Sequence, residues 1–195
     1  YVTISGYWND APAWAAGDLA TNPLASTPTA VANFGNRAYF AAGQILAYTD
    51  VLDPLTRTLA SQQLTIGDTN SITALSGLPV QTTSSGVVQA LMVFKDFQVW
   101  QVTGDDVGST LAINFLSLTC GCSAPRSIAL SPLGLYFASI AGPYIIDQLG
   151  TLRLVTHSAR EVEPDIVAPF QNAGTPSRIA GSYSNGVYRL CIETI

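Results

Sequence analysis

The sequence predicts an all-β protein, with a β-propeller or propeller-like repeat of small antiparallel sheets as the expected architecture. Short runs of aromatic and β-branched residues alternate with turn dipeptides along most of the chain, a pattern typical of hairpins. The same strand-turn-strand plan occurs four times, at intervals close to those of propeller blades. Helical periodicity is short-lived, so little helix is expected. A β-sandwich, which is also built from short strands and frequent turns, is the alternative.

The four units follow one template. The first has an apolar run over residues 37–41, a turn, and a second run over residues 44–50. The predicted turn dipeptides are Ala42-Gly43, Lys95-Asp96, Ala141-Gly142 and Asn185-Gly186. Each is flanked by residue types that favour strands, so each unit predicts at least one hairpin.

The units are spaced like blades. The aromatic residues Phe40, Phe94, Phe137 and Tyr188 take similar places in them and lie 54, 43 and 51 residues apart. Propeller blades repeat every 40 to 50 residues or so, and neighbouring blades cover the central strands on both faces. Such strands should read as nearly continuous apolar runs, as residues 90–94 and 133–140 do.

Two regions are expected. Residues 1–33 are rich in Ala, Pro and Thr and predict an extended N-terminal segment, whereas residues 34–195 predict the propeller-like domain. Trp8 and Trp14 are candidates for an exposed partner interface, because aromatic anchors concentrate binding energy. They could equally pack on their own subunit. The chain starts without Met and stops directly after an apolar strand, so it is expected to be part of a longer polypeptide.

Composition favours assembly. Hydrophobic residues make up 48% of the 195 residues and charged residues 11%, against about 25% charged in ordinary soluble domains. The net charge is −5 and the eight Lys and Arg residues are scattered singly, so specific nucleic-acid binding is not expected. No run of 18 apolar residues occurs, so no membrane span is predicted.

The residues that could carry chemistry do not form a recognisable site. Cys120, Cys122 and Cys191 are odd in number and lack zinc spacing, so small buried thiols are expected. His157 is the one histidine, and no G-x-S-x-G motif presents a serine to it. Neither metal nor cofactor is expected.

The acidic residues are equally uninformative. Asp105-Asp106 follows a Thr-Gly turn, and Glu161, Glu163 and Asp165 lie beside prolines, where solvated loop acids are common. Glycosidases require two convergent carboxylates, and nothing here indicates such a pair. The protein is therefore not expected to be an enzyme.

An ordered set of short motifs resembles a known family. The set runs through ITAL (72–75), ALMVFKDFQVWQVTGD (90–105), GCSAPRSIA (121–129) and LYFASIAGPY (135–144), preceded by residues 36–54. It resembles the tail tubular protein B, or nozzle, of short-tailed bacteriophages and related tail-hub proteins. The resemblance covers residues 34–195, and its strength lies in the order of the motifs.

The resemblance implies a function and partners. It implies a propeller-bearing structural subunit of the phage tail, located in the virion, that forms a homo-oligomeric ring with a hexamer as the expected form. Other tail or adaptor proteins would be its partners, and the genome would pass through its lumen without specific binding. A propeller that binds a glycan or another receptor is the alternative function.

Four residues are expected to act structurally. Gly121 and Gly142 are expected where a Cβ would hinder the backbone. Pro125 should fix the entry to the strand over 127–130. Arg126 could bridge two blades or could be an exposed connector residue. The aromatic residues Phe94, Trp100, Tyr136 and Phe137 are expected in the core between blades.

Overall fold

The fold is given by a computed structural model that describes residues 22, 24, 26–82, 86–104, 111–155 and 179–192. These residues form fourteen strands and no helix, so the all-β prediction is confirmed. Consequently no helix in this part of the chain is long and apolar enough to cross a membrane.

The strands form three four-stranded sheets and one hairpin, all antiparallel, with neighbouring strands consecutive in sequence. The first sheet contains β1 (Ala30–Phe34), β2 (Arg37–Ala42), β3 (Ile45–Tyr48) and β4 (Gln63–Thr65). The second sheet contains β5 (Ala74–Thr82), β6 (Gly86–Phe94), β7 (Val99–Thr103) and β8 (Ala112–Ser117). The third sheet contains β9 (Ala124–Ser131), β10 (Gly134–Ser139), β11 (Gly142–Asp147) and β12 (Leu152–Leu154). The terminal hairpin contains β13 (Ile179–Ser184) and β14 (Val187–Ile192).

The sheets pack in series, each against the next. Strand β6 shows this most clearly, because Leu91 and Val93 point into the core shared with the first sheet. Met92 and Phe94, on its other face, point into the core shared with the third sheet. A third, smaller core joins the third sheet to the terminal hairpin through Ile179. A strand covered on both faces has no polar side, which explains the continuous apolar run over residues 90–94.

The repeat of small antiparallel sheets is confirmed. Phe40, Phe94, Phe137 and Tyr188 each lie in the second strand of their sheet, and these second strands begin at residues 37, 86, 134 and 187. The intervals are 49, 48 and 53 residues, more regular than the spacing of the aromatic residues themselves. The irregularity arises because Phe94 ends its strand, whereas Phe40 and Phe137 lie two residues before the end of theirs.

The predicted turns are shifted in two of the four units. The loops between second and third strands are Gly43-Gln44, residues 95–98 and Ile140-Ala141, so two of them begin one residue later or earlier than predicted. Asn185-Gly186 is a two-residue loop as predicted, but it joins a first strand to a second strand. Its counterpart is therefore Gly35-Asn36. In both loops the two residues have positive φ, as a type I′ turn requires.

The first strand begins inside the segment that was predicted to be extended loop. Ala30–Phe34 pairs along its whole length with β2, so the first sheet starts at residue 30, ahead of the predicted boundary at residue 34. The sequence AVANF has only a short alternation, and pairing with the strongly apolar β2 supplies the hydrogen bonds that hold it extended.

Candidate functional site at the sheet junctions

The connector, residues 118–123, joins β8 to β9 and contains Gly121. An ideal Cβ on Gly121 would lie 2.0 Å from the carbonyl oxygen of Lys95 and 2.5 Å from the amide nitrogen of Gln98. The connector therefore packs directly on the backbone of the loop between β6 and β7. Only glycine fits a backbone contact of this kind.

The same loop is anchored from its other side by a buried cation. Lys95 is 1% exposed, and its Nζ donates to the carbonyl oxygen of Asp68 at 2.6 Å and to the Asp68 carboxylate at 2.9 Å. This hydrogen bond from Lys95 holds the pKa of Asp68 below its usual value. Asp68 lies in the segment of chain that connects the first sheet to the second. The ion pair therefore anchors this connecting segment to the β6–β7 loop.

The two connector cysteines are buried thiols, as predicted. Thr73 donates its hydroxyl to the carbonyl oxygen of Cys122 at 2.7 Å, which ties the connector to the start of β5. Burial raises the pKa of Cys122 to about 12 and also raises the pKa of Cys120. The prediction is wrong for Cys191, which is exposed because one face of β14 is left uncovered.

A bulge follows the connector, and it contains Pro125 and Arg126. Residues 125–128 of β9 stand opposite the single residue Phe137 of β10. The buried Ser127 replaces the interrupted strand pairing, because its Oγ accepts the Ala138 N–H at 2.7 Å and donates to the Ala124 carbonyl oxygen at 2.6 Å. Pro125 and Arg126 are exposed at the irregular start of β9. No ion pair joins Arg126 to a described carboxylate.

The terminal hairpin docks on this bulge. The Tyr188 hydroxyl donates to the Ser127 carbonyl oxygen at 2.7 Å, and its ring stacks on Tyr136 with centroids 4.7 Å apart. An ideal Cβ on Gly181 would lie 2.6 Å from the Ser127 oxygen, so the hairpin approaches closely there. Burial raises the pKa of Tyr188, which keeps this hydroxyl protonated as a donor.

The aromatic residues divide between two roles. Phe94 and Phe137 are fully buried between the second and third sheets, with ring centroids 5.0 Å apart. Trp100 is partly buried against the first sheet, and Tyr136 stacks on the terminal hairpin. All four aromatic residues therefore lie at an interface between neighbouring sheets.

Gly142 does not belong to this junction. It opens β11 at φ +121, where an L-residue is strained, and an ideal Cβ would lie 3.4 Å from Leu154 Cδ1. Of the six candidate residues, the structure brings Gly121, Pro125 and Arg126 into one region of the chain, whereas Trp8 and Trp14 lie outside the described residues.

Sequence reasoning missed the residues that hold the junction together. Lys95 was assigned to a turn, where a lysine is normally solvated, and Asp68, Ser127 and Tyr188 were not singled out as partners. Ser127 follows Pro-Arg in a stretch without strand periodicity, and that interruption was the available signal for a bulge.

No catalytic constellation emerges among the described residues. They contain no cluster of His, Cys, Asp or Glu that could hold a metal ion. A shallow depression of about 380 Å³ lies beside the β1–β2 turn, and its cation, Arg37, already donates to the Thr49 carbonyl oxygen. The other acids and the histidine considered above lie outside the described residues: Asp105, Asp106, His157, Glu161, Glu163 and Asp165.

No protein-family model matches the sequence, and no curated protein matches it significantly.

Proposed function

We propose that this chain is a structural subunit of a bacteriophage tail, of the nozzle or tail-hub class, with a β-propeller as its scaffold. In this role it forms a homo-oligomeric ring in the virion, contacts neighbouring tail proteins and leaves a conduit for the genome. It acts through surfaces and a shape, without a chemical step.

The observation that carries the proposal is the set of contacts that the motif residues make. Gly121, Lys95 and Ser127 belong to the stretches whose order resembles the nozzle family, and each fastens its own element to another element of the chain. Residues that were selected for catalysis would converge on a polar cavity, whereas these converge on backbone. Such contacts favour a structural role for the protein.

The series of sheets supports the propeller. Three consecutive four-stranded antiparallel meanders, each packed face to face on the next and repeating every 48 or 49 residues at their second strands, match the construction of propeller blades. A sandwich would instead place strands from distant parts of the sequence side by side in two sheets.

The exposed apolar residues support assembly. Twelve large apolar side chains among the described residues are at least 40% exposed, including Leu52, Phe115 and Leu133. Apolar surface on this scale marks contact sites when it is contiguous. Because few charges intervene, subunits of this kind would associate readily.

Mass measurement together with negative-stain electron microscopy tests the proposal. We expect a closed ring with a central opening, formed by the chain alone or beside its tail partners, and blade-like sheets around an axis at higher resolution. A monodisperse monomer that forms no ring, even with tail proteins present, would contradict it.

A further inference from the structure

The loop between β3 and β4, residues 49–62 (the leucine loop), presents its leucine side chains to the outside. Its leucines Leu52, Leu55 and Leu59 are 78%, 50% and 59% exposed. A loop with three outward leucines would ordinarily collapse on itself, since burying them is favourable. The reason that it does not lies in its hydrogen bonds.

Polar groups inside the loop fix its backbone. Arg57 is 4% exposed, and its guanidinium donates to the carbonyl oxygens of Gln62, Asn22 and Ala60. Asp50 accepts hydrogen bonds from the backbone and side chain of Thr58 and from Gln62. The loop is thus organised around an internal arginine and a carboxylate, with its apolar side chains outside.

The backbone conformation of Leu52 shows that the surrounding structure enforces the exposure of the leucines. It has φ +60, a conformation that is costly for a bulky side chain, and its N–H donates to the Asn36 carbonyl oxygen at 2.8 Å. Strained residues of this kind persist where the surrounding structure overrides local preference, and they concentrate at binding surfaces.

The charge of the leucine loop restricts its partner. Hydrogen bonds from Thr58 and Thr56 lower the pKa of Asp50 and of Asp53, so both carboxylates are ionised at neutral pH. The loop's one cation, Arg57, is buried. Carboxylates repel anionic lipid and nucleic acid, so the partner is a protein surface that is apolar and basic.

The last described strand carries such a surface. The outward face of β14 presents Val187, Arg189 and Cys191, all exposed. Neither Arg189 nor Arg126, which is exposed on β9, forms an ion pair with a described carboxylate. Among the described residues, the leucine loop of the first sheet therefore presents exposed leucine and carboxylate side chains. The last described strand presents exposed valine and arginine side chains.

From these complementary surfaces we infer that copies of this chain associate head to tail, with the leucine loop of one copy seated on the outward face of β14 of the next. Two different surfaces meet in such a contact, so it repeats from copy to copy and closes into a ring when the rotation permits. This inference rests on the proposed function, because a ring of identical subunits requires a contact that repeats from copy to copy.

Mixing two disabled variants tests the contact. The loop variant carries Leu55→Ser and Leu59→Ser, the hairpin variant carries Val187→Ser and Arg189→Glu, and the control carries Leu133→Ser and Leu149→Ser in turns of the third sheet. All six side chains are exposed, so each variant should fold, which circular dichroism checks. Sedimentation velocity over a concentration series gives the association constants.

We expect the wild type and the control to self-associate, and each disabled variant to associate about 10-fold more weakly or worse. A mixture of the two disabled variants should form a one-to-one heterodimer that grows no further, because each supplies the surface that the other lacks. Self-association of the hairpin variant alone would indicate contact between two leucine loops and overturn the inference. Equal weakening of the control would overturn it too.

Crosslinking supplies an independent readout. Cys191 is exposed whereas Cys120 and Cys122 are buried, so a short bismaleimide should join Cys191 of one copy to an introduced Leu55→Cys of the next. Leu149→Cys should give no such product. If both disabled variants still formed the same ring as the wild type, this contact would be refuted and the proposed tail function would be left intact. A wild type that never leaves the monomer, alone or with tail proteins, would count against both.

Discussion

Single residues in this protein matter mainly through how closely they let backbones approach. Gly121 and Gly181 each sit where a Cβ would meet a carbonyl oxygen of another element, of Lys95 and of Ser127 respectively. Neither position has a positive φ, so the requirement for glycine is steric and comes from the backbone that packs against it. Backbone meets backbone at both positions, and a side chain would hold the two elements apart.

Gly121→Ala should destabilise the protein. The added Cβ would overlap the Lys95 carbonyl oxygen, and because both atoms belong to backbone, relief requires moving the connector away from the β6–β7 loop. We expect a loss of about 1 to 3 kcal/mol in the free energy of unfolding, the usual cost of overpacking. Urea unfolding followed by tryptophan fluorescence measures it.

Gly77→Ala is the matched control. Gly77 lies within β5 at negative φ, and an ideal Cβ there meets nothing within 4 Å. Its unfolding free energy should stay the same or rise slightly, since alanine restricts the unfolded chain. Equal losses in both variants would mean that the close contact at Gly121 is not what matters.

At the scale of elements, the terminal hairpin depends on few contacts. Among the described residues it is covered on one face, by the third sheet, whereas residues 90–94 of β6 and most of β10 are buried on both faces. Its docking combines the small core around Ile179 with the Tyr188 hydrogen bond to the bulge in β9. An element held in this way should open locally at a lower free energy than the central strands.

Tyr188→Phe should therefore loosen the hairpin selectively. The change removes the donor to the Ser127 carbonyl oxygen while keeping the ring stacked on Tyr136, at a cost of about 1 to 2 kcal/mol. Amide hydrogen exchange should speed up in β13 and β14 and remain unchanged in β6.

Tyr183→Phe separates the hydrogen bond from the ring. Tyr183 also stacks on Tyr136, with centroids 6.0 Å apart, but no hydrogen bond joins its hydroxyl to a described residue. We expect exchange in the hairpin to stay as in the wild type. If the two variants behave alike, the Tyr188 hydroxyl contributes nothing to docking.

For the whole molecule, acidic residues link stability to pH. The pKa values of Asp50, Asp53 and Asp68 all lie below their ordinary value in the folded protein, each chiefly through a side-chain hydrogen bond. The unfolded chain therefore binds more protons than the folded chain near that ordinary value. The stabilisation is complete above about pH 4 and is lost as the pH falls through the lower, folded-state pKa values.

Unfolding midpoints in urea should accordingly fall between about pH 4 and pH 2. Asp68→Asn should lower the midpoint at neutral pH, because the buried Lys95 loses its countercharge, and should flatten the acid limb by the share of one carboxylate. Asp96→Asn is the control, since Asp96 is exposed and forms no ion pair with a described residue. A variant at Asp68 with the full wild-type acid limb would show that the linkage comes from elsewhere.

Much of the fold followed from local pattern. Type I′ turn residues and apolar runs are short-range signals, so the hairpins and the repeat of the second strands could be predicted from residues a few positions apart. Turn positions slipped by a residue where Gly43 or Gly142 could belong to either the loop or the strand. The pairing register decided between them, and register depends on a neighbouring strand.

The junction was largely beyond local pattern. Lys95 and Asp68 are 27 positions apart, and Tyr188 and Ser127 are 61 apart. Nothing near Lys95 in the sequence indicates that its ammonium group is buried, because the burial is produced by the sheets on either side. Cys191 is the opposite case, because its apolar neighbours in the sequence suggested burial, but no described sheet covers that face of β14.

That this protein is a repeat of small antiparallel sheets follows from local features of its sequence, namely strand propensity, turn chemistry and a period near 50 residues. Which backbones touch, which charges are buried and which leucines stay exposed emerges only in the folded chain. Those outcomes depend on contacts between residues far apart in sequence, and a local pattern carries no record of what will pack against it.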